Sequence, residues 1–308
     1  MLKRFVTKPS RHPFALWMVI AVAIFAACAS GARSATPYPS AEAARFSIEV
    51  TGNGPDVILI PGLGCSREVW EATVGRLKTR YRLHVLNIAG FAGDAAGANA
   101  EGPVIDPSTE ALNTYITEKG LKNVTIIGHS MGGLMGLRLA STHPQVVSRL
   151  VIVDALPFIG VLFAPNATAD TIRPNAERMK DALIAAPAET FKAQQQAMMS
   201  RQTGGETYKA RIIDWTVTSD RRVFAQAMYD DMVMDLRDDL GKVTAQTTLI
   251  FPWSPASGFS AEQTEAVYRQ SYSGLKTMNF SRIDNSLHFI MYDQPEAFAT
   301  ALEAALQK

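Results

Sequence analysis

Val124-Thr125-Ile126-Ile127-Gly128-His129-Ser130-Met131-Gly132-Gly133 decides how this chain folds. Its first four residues are all β-branched and read as a buried strand, and Gly132 to Ala140 reads as a helix of small residues. Between them, Gly-x-Ser-x-Gly must turn the chain sharply. A serine at the apex of such a turn takes a strained backbone conformation, and a Cβ two residues before or after it would press on the neighbouring strand or helix. The turn also aims the first N–H groups of the new helix at the space above Ser130, where an oxyanion can be held. A glycine-rich turn without chemistry fits the bare motif too. The strand before it and the helix after it favour a serine nucleophile.

The N-terminal segment belongs to a different category. Residues 1–13 carry Lys3, Arg4, Lys8 and Arg11 and no acid, Phe14 to Ala27 is almost wholly apolar, and Cys28-Ala29-Ser30-Gly31-Ala32 follows. Basic, apolar and small segments in that order predict an export signal, hence a periplasmic or secreted protein. The apolar run is short of the ~20 residues of a comfortable membrane span, and an uncleaved signal anchor is the alternative. Ala26-Ala27-Cys28 also looks like a bacterial lipoprotein processing site, which would leave Cys28 acylated and the protein tethered to a membrane, although Phe25 stands where such sites usually carry Leu. Cys65 is the other cysteine, so removal of the signal before or at Cys28 leaves no pair to join, and stability must come from the core. Cys65 itself reads as a small buried filler. A net charge of +1, with no basic stripe, argues against a nucleic-acid partner. No cysteine–histidine cluster suggests a metal, and no cofactor is expected.

Beyond the signal the pattern alternates. Residues 1–35 are assigned to the export signal and start of a linker, 36–44 to the Pro/Ser/Ala-rich linker, 45–156 and 241–308 to two parts of one core, and 157–240 to a helical lid between them. Strands are expected over 46–50, 57–60, 83–88, 124–127, 150–153, 248–251 and 277–283. Helices are expected after Ser66, over 109–119, from Gly132, and over 295–306, where Pro295 occupies the first turn. This alternation predicts an α/β fold, a mostly parallel doubly wound sheet with ligands at the carboxyl ends of its strands. In the lid, 175–185, 188–199 and 207–215 read as helices. Six methionines fall there, and packing between helices accounts for most of them, with an adaptable apolar roof over a substrate as the alternative.

The order of strand, Pro61-Gly62-Leu63-Gly64 loop, Gly-His-Ser-Met-Gly-Gly turn, helical insertion and late histidine resembles the α/β-hydrolase superfamily over about residues 45–307, and looks most like its lid-bearing serine esterase and lipase-like branch. The resemblance implies a triad in the chain order serine, acid, histidine, with Ser130 as nucleophile. Of five histidines only His143 and His288 follow Ser130. His143 ends the helix that begins at the turn, roughly 15 Å or more away at 1.5 Å per residue, and cannot reach. His288, in Asn285-Ser286-Leu287-His288-Phe289, resembles the family's histidine loop, although the family often has Gly where Leu287 stands. The acid is harder to place. Much of the family carries it after the strand over 248–251, and here Pro252-Trp253-Ser254-Pro255-Ala256-Ser257-Gly258 holds no carboxylate. Other members carry it one strand earlier, where this chain has Asp154; Asp284 is the fallback. The resemblance also implies an oxyanion hole from the N–H groups of Met131 and Leu63, a Pro61-Gly62 pair replacing the family's usual His-Gly. His129 reads as packing.

The expected function is therefore a serine hydrolase that cleaves a carboxylic ester or similar acyl bond of a small, apolar substrate through an acyl-enzyme. A thioesterase, lactonase or amidase would use the same groups. A non-hydrolytic binding protein or a lyase on the same fold is the alternative from another class.

Overall fold

β-branched and leucine-rich runs become strands where the sequence places them. The computed structural model describes residues 44–307 apart from Pro165, so the export-signal and Cys28 expectations lie outside the described residues. The strands are β1 Phe46–Thr51, β2 Asp56–Ile60, β3 Arg82–Ile88, β4 Val124–His129, β5 Val147–Val153, β6 Gln246–Trp253 and β7 Met278–Asp284. They form one sheet in the order β1-β3-β2-β4-β5-β6-β7. β1 alone is antiparallel, pairing Phe46 with Ile88 through Thr51 with Leu83. Every residue of β2 is buried, as a central strand covered on both faces requires, whereas β1 at the edge buries only Phe46.

Strand alternation divides the core in two. Ile58, Ile60, Ile126 and Ile152 point to one face, and Val57, Leu59, Ile127 and Val151 to the other. Helices α1 Glu71–Leu77, α2 Ile105–Glu118 and α3 Met131–Thr142 follow β2, β3 and β4 respectively. α2 and α3 cover the first face with Leu112, Ile116, Leu134 and Leu137, and Trp70 with Leu77 of α1 covers the second. Between β5 and β6 the chain leaves the sheet for α4 Ala169–Ala185, α5 Ala188–Met199, α6 Glu206–Thr218 and α7 Arg221–Val233. α4 packs on α7, and α5 on α6. The chain closes with α8 Ala261–Ser271, the single turn α9 Ile290–Asp293, and α10 Pro295–Gln307, whose Phe298 and Leu302 join the second face. Among the described residues no helix is long and apolar enough to cross a membrane.

Three helices depart from expectation, each for a local reason. α2 begins at Ile105 rather than Thr109, because Pro107 falls in its first turn, where the missing N–H is not needed. Its free N–H groups at Val104 and Ile105 are capped from far along the chain by Asp230 Oδ2, at 2.6 and 3.1 Å. α4 starts six residues before the expected Asn175: Thr168 and Thr171 form a reciprocal cap, and Pro174 is carried inside the helix. α7 is a fourth insertion helix with no counterpart in the expected set. Asp220 caps it by accepting from the N–H groups of Arg222 and Val223. Its buried Val223 lies so close to the chain that a Cβ on Gly90, which has φ +92°, would sit 2.8 Å from the valine.

Candidate active site

Ser130 joins β4 to α3 with φ 54° and ψ −126°. That backbone region costs a residue with a Cβ on the order of 1–3 kcal/mol. It is held because Ser130 N–H donates to Val153 O at 2.9 Å, while its carbonyl accepts from Gly133 at 2.7 Å and Leu134 at 3.1 Å. The flanking glycines are needed as spacing suggests. A Cβ on Gly128 would fall 2.1 Å from Gly132 O, and one on Gly132 would fall 2.3 Å from Ile60 O.

The histidine arrives from the loop after β7. His288 Nδ1 lies 2.6 Å from Oδ2 of Asp154, the first residue after β5 on the way to the insertion. Asp154 has φ 46°, and its N–H is fixed to Ile250 O at 2.9 Å. Its Oδ1 accepts from the Tyr268 hydroxyl on α8. Burial pushes the Asp154 carboxyl up, but the charge and hydrogen bond of His288, with the bond from Tyr268, outweigh it and leave the pKa below the ordinary carboxylate value. With Nδ1 committed to Asp154, Nε2 of His288 is the nitrogen free for proton traffic. Asp284 stands apart from this pair. It is exposed and accepts from Arg282 Nε at 2.7 Å.

Ser130 and His288 open onto the same cavity. The His288 ring lies 4.5 Å, centroid to centroid, from that of His129, the residue directly before Ser130. Among the described residues the Ser130 hydroxyl makes no hydrogen bond. His129 does more than fill space: its Nε2 donates to the His288 carbonyl at 3.0 Å. Burial drives His129 down to about 3, with the nearby charge of His288 adding to the effect, so this imidazole is a neutral prop. Asp293 fixes the other side of the loop. Its Oδ2 accepts from Leu287 N–H at 2.8 Å, and its Oδ1 from Thr203 Oγ1 at 2.6 Å and Gly204 N–H at 2.9 Å. Phe289 N–H donates to Gln202 O at 3.0 Å, so the histidine loop is tied to the insertion by main chain as well.

The N–H of Met131 heads α3 next to Ser130, and that of Leu63 sits in the loop after β2; neither has an acceptor among the described residues. Gly62 leaves room for this loop to approach, since a Cβ there would lie 3.0 Å from His129 Nδ1. Cys65 is buried, and burial pushes its thiol up to about 12, which leaves it protonated and unreactive. His143 caps the far end of α3 and pairs with Glu110 at 3.0 Å.

The cavity has a volume of about 1250 Å³ and is lined in part by residues of the insertion. Met179, Met198, Met199, Met228 and Met232 all line it, while Met199, Met228, Met232 and Met234 also pack in the apolar clusters, so most of the six insertion methionines pack and five of the six line the cavity. One carboxyl is out of place in this wall. Asp231 of α7 is half-buried and lines the cavity, and no described residue donates to it. Burial pushes it up to about 7, against the pull of His288 and with the help of Asp230. Tyr268, Asp293 and Asp231 escaped the sequence reading. Only Asp293 left a signal there, five residues past His288 at the mouth of the terminal helix.

A family profile described as alpha/beta hydrolase fold matches residues 55–258, more than half of the chain. The chain belongs to the α/β-hydrolase family. Within the family it is similar to a pimeloyl-[acyl-carrier protein] methyl ester esterase from Vibrio vulnificus, with 34% identity over 109 residues, 35% of this chain; the match spans only 40% of that esterase's length. The esterase of the same description from Vibrio cholerae is 27% identical over 204 residues, covering 64% of this chain and 74% of its own. Among solved structures, a hydrolase from Pseudomonas aeruginosa superposes with a TM-score of 0.73 at 16% identity, covering 90% of this chain and all 100% of that one, which establishes the shared α/β-hydrolase architecture.

Proposed function

We propose that this α/β-hydrolase is a carboxylic ester hydrolase with Ser130 as nucleophile, His288 as base and acid, and Asp154 as the residue that orients the histidine. The 2.6 Å bond between His288 Nδ1 and Asp154 Oδ2, on the cavity that Ser130 opens onto, carries the reading. A serine hydroxyl is a weak nucleophile until a base accepts its proton. His288 Nε2 takes that proton as Oγ attacks the acyl carbon, and the depressed Asp154 carboxylate stabilises the imidazolium that results. The N–H groups of Leu63 and Met131 receive the negative charge that develops on the carbonyl oxygen, each contributing about 3 kcal/mol in the transition state. His288 then returns the proton to the leaving alcohol. Water, activated by the same imidazole, releases the acid and restores Ser130.

The cavity wall supports a substrate with a sizeable apolar part, because its methionines can repack around different chains. The Vibrio relatives are described as methyl ester esterases, which agrees in bond type. We further propose that residues 1–35 direct export and that 157–240 act as a lid. Fractionation of cells expressing the full chain tests the first; a cytoplasmic product of unaltered mass would refute it.

A fluorophosphonate probe tests the central reading. It should label Ser130, as identified by peptide mass, and Ser130→Ala and His288→Ala should each lose p-nitrophenyl ester turnover while keeping the wild-type unfolding curve. Wild-type turnover in either variant would sink the assignment.

A further inference from the structure

One face of α7 looks into the cavity: Phe224, Met228, Asp231 and Met232 recur at the i, i+4, i+7, i+8 spacing of a helical stripe and all line it. Three of those positions are apolar, and the acid among them needs an explanation. Its neighbour Asp230 has one, since it caps α2 and accepts from Gln226 Nε2 at 2.8 Å. Asp231 takes no hydrogen bond and no ion pair from any described residue. A second acceptor in the same wall is also unmatched. Gln195 of α5 is 3% exposed, lines the cavity, and has an Oε1 with no partner. Buried acceptors are rarely left without donors, and each that is calls for an explanation.

The electrostatics select the ligand. Among the described residues the cavity lining contains no lysine and no arginine. The Asp154 carboxylate is already engaged by His288. When Asp231 is ionised, a carboxylate or phosphate beside it would meet like charge that no lysine or arginine of the lining offsets, whereas a hydroxyl or ammonium would supply the missing donors.

We propose that Asp231 is a specificity-determining residue that binds a hydrogen-bond-donating group, hydroxyl or ammonium, carried on the otherwise apolar arm of the substrate, with Gln195 a second unmatched acceptor on the same cavity. The proposal names the substrate class of the ester-hydrolase site and rests on that reading for the reaction, though not for binding. The test is calorimetric binding to full-length Ser130→Ala protein of four probes that differ at one end: methyl hexanoate, methyl 6-hydroxyhexanoate, methyl 6-aminohexanoate and monomethyl adipate. The hydroxy or the amino ester should bind about tenfold more tightly than methyl hexanoate, the scale of one net hydrogen bond, and the adipate more weakly. Adding Asp231→Leu should bring the three neutral or cationic probes within about twofold of one another. Asp231→Asn should keep a preference for hydroxyl and lose one for ammonium, which tells the two donors apart and serves if the leucine variant fails to fold. Equal binding of the hydroxy, amino and plain esters, or a preference that survives both substitutions, would overturn the proposal. Turnover of the same esters by the wild type scores the hydrolase reading separately: discrimination without turnover refutes hydrolysis of this class and leaves recognition by Asp231 standing.

Discussion

Replacing Gly132 by alanine tests whether the serine turn and the proposed oxyanion loop form one mechanical unit. The added Cβ would lie 2.3 Å from Ile60 O and 2.6 Å from Pro61 O. Both neighbours are main-chain carbonyls, which cannot swing aside as a side chain can. Restoring an ordinary separation of ~3.5 Å requires roughly 1 Å of movement in the end of β2 or the start of α3. Ile60 and Pro61 lead directly into Gly62-Leu63, so the movement displaces the Leu63 N–H relative to that of Met131. Loss of one such donor lowers kcat by ~10²–10³, and a misplacement of ~1 Å has an effect of the same order. We therefore expect kcat for p-nitrophenyl butyrate to fall ~100-fold, about 2.7 kcal/mol of transition-state stabilisation, with KM changed by less than about threefold. Overpacking should also lower stability by about 1–3 kcal/mol, read from urea midpoints. Gly75→Ala is the control: it lies in α1 with nothing within 4 Å of its added Cβ. It should raise stability by about 0.5–1 kcal/mol and leave kcat unaltered. A Gly132→Ala enzyme working within about threefold of wild type would refute the coupling between the two N–H groups.

Asp154→Asn should reduce kcat by ~10³–10⁴ through the wrong histidine tautomer, measured on the same ester. Because the Asp154 pKa is lowered on folding, its contribution to stability is present above the unfolded carboxylate value and disappears as pH falls through the depressed one. The decline in urea midpoint between about pH 5 and pH 2 should accordingly be shallower in Asp154→Asn, and an unchanged slope would contradict the pairing. Asp293→Ala frees Leu287, Thr203 and Gly204 from one carboxylate, and kcat should drop ~10-fold while fluorophosphonate still reaches Ser130; full activity would mean the histidine loop holds itself. Cys65 should resist iodoacetamide at pH 8 in the native protein and react once the chain is unfolded in urea. Rapid native labelling would show that the loop after β2 opens.

The central strands could be found in the sequence because parallel strands buried on both faces appear as unbroken apolar runs, of which Val57–Ile60 and Leu150–Val153 are the plainest. Gly128 and Gly132 were also readable, since only steric exclusion explains glycine on both sides of a serine. His288 and Asp154 rest on what the resemblance implies, the family's chain order for the histidine and its alternative acid position for the aspartate, since 252–258 holds no acid. The rest depended on partners distant in sequence. Tyr268 lies 114 residues from the carboxylate it touches, and nothing in the α8 stripe marks it. α7 was obscured because its Asp230-Asp231 pair looks like a solvated surface. One of those acids is in fact bonded to the start of α2, and the other lines the cavity.

That bond across 126 residues bears on any attempt to exchange the insertion for another. Asp230 belongs to the insertion by sequence but completes the core by contact, and Val223, Ala227 and Leu236 pack in the same apolar cluster as Ile58 and Leu112. A chimera that grafts a foreign insertion between β5 and β6 would strip two N–H groups of their acceptor and open a hole beside β3, however well the new helices fold. Transplanting substrate preference into this scaffold therefore means keeping the inner side of α7 and rewriting only the side that faces the ligand.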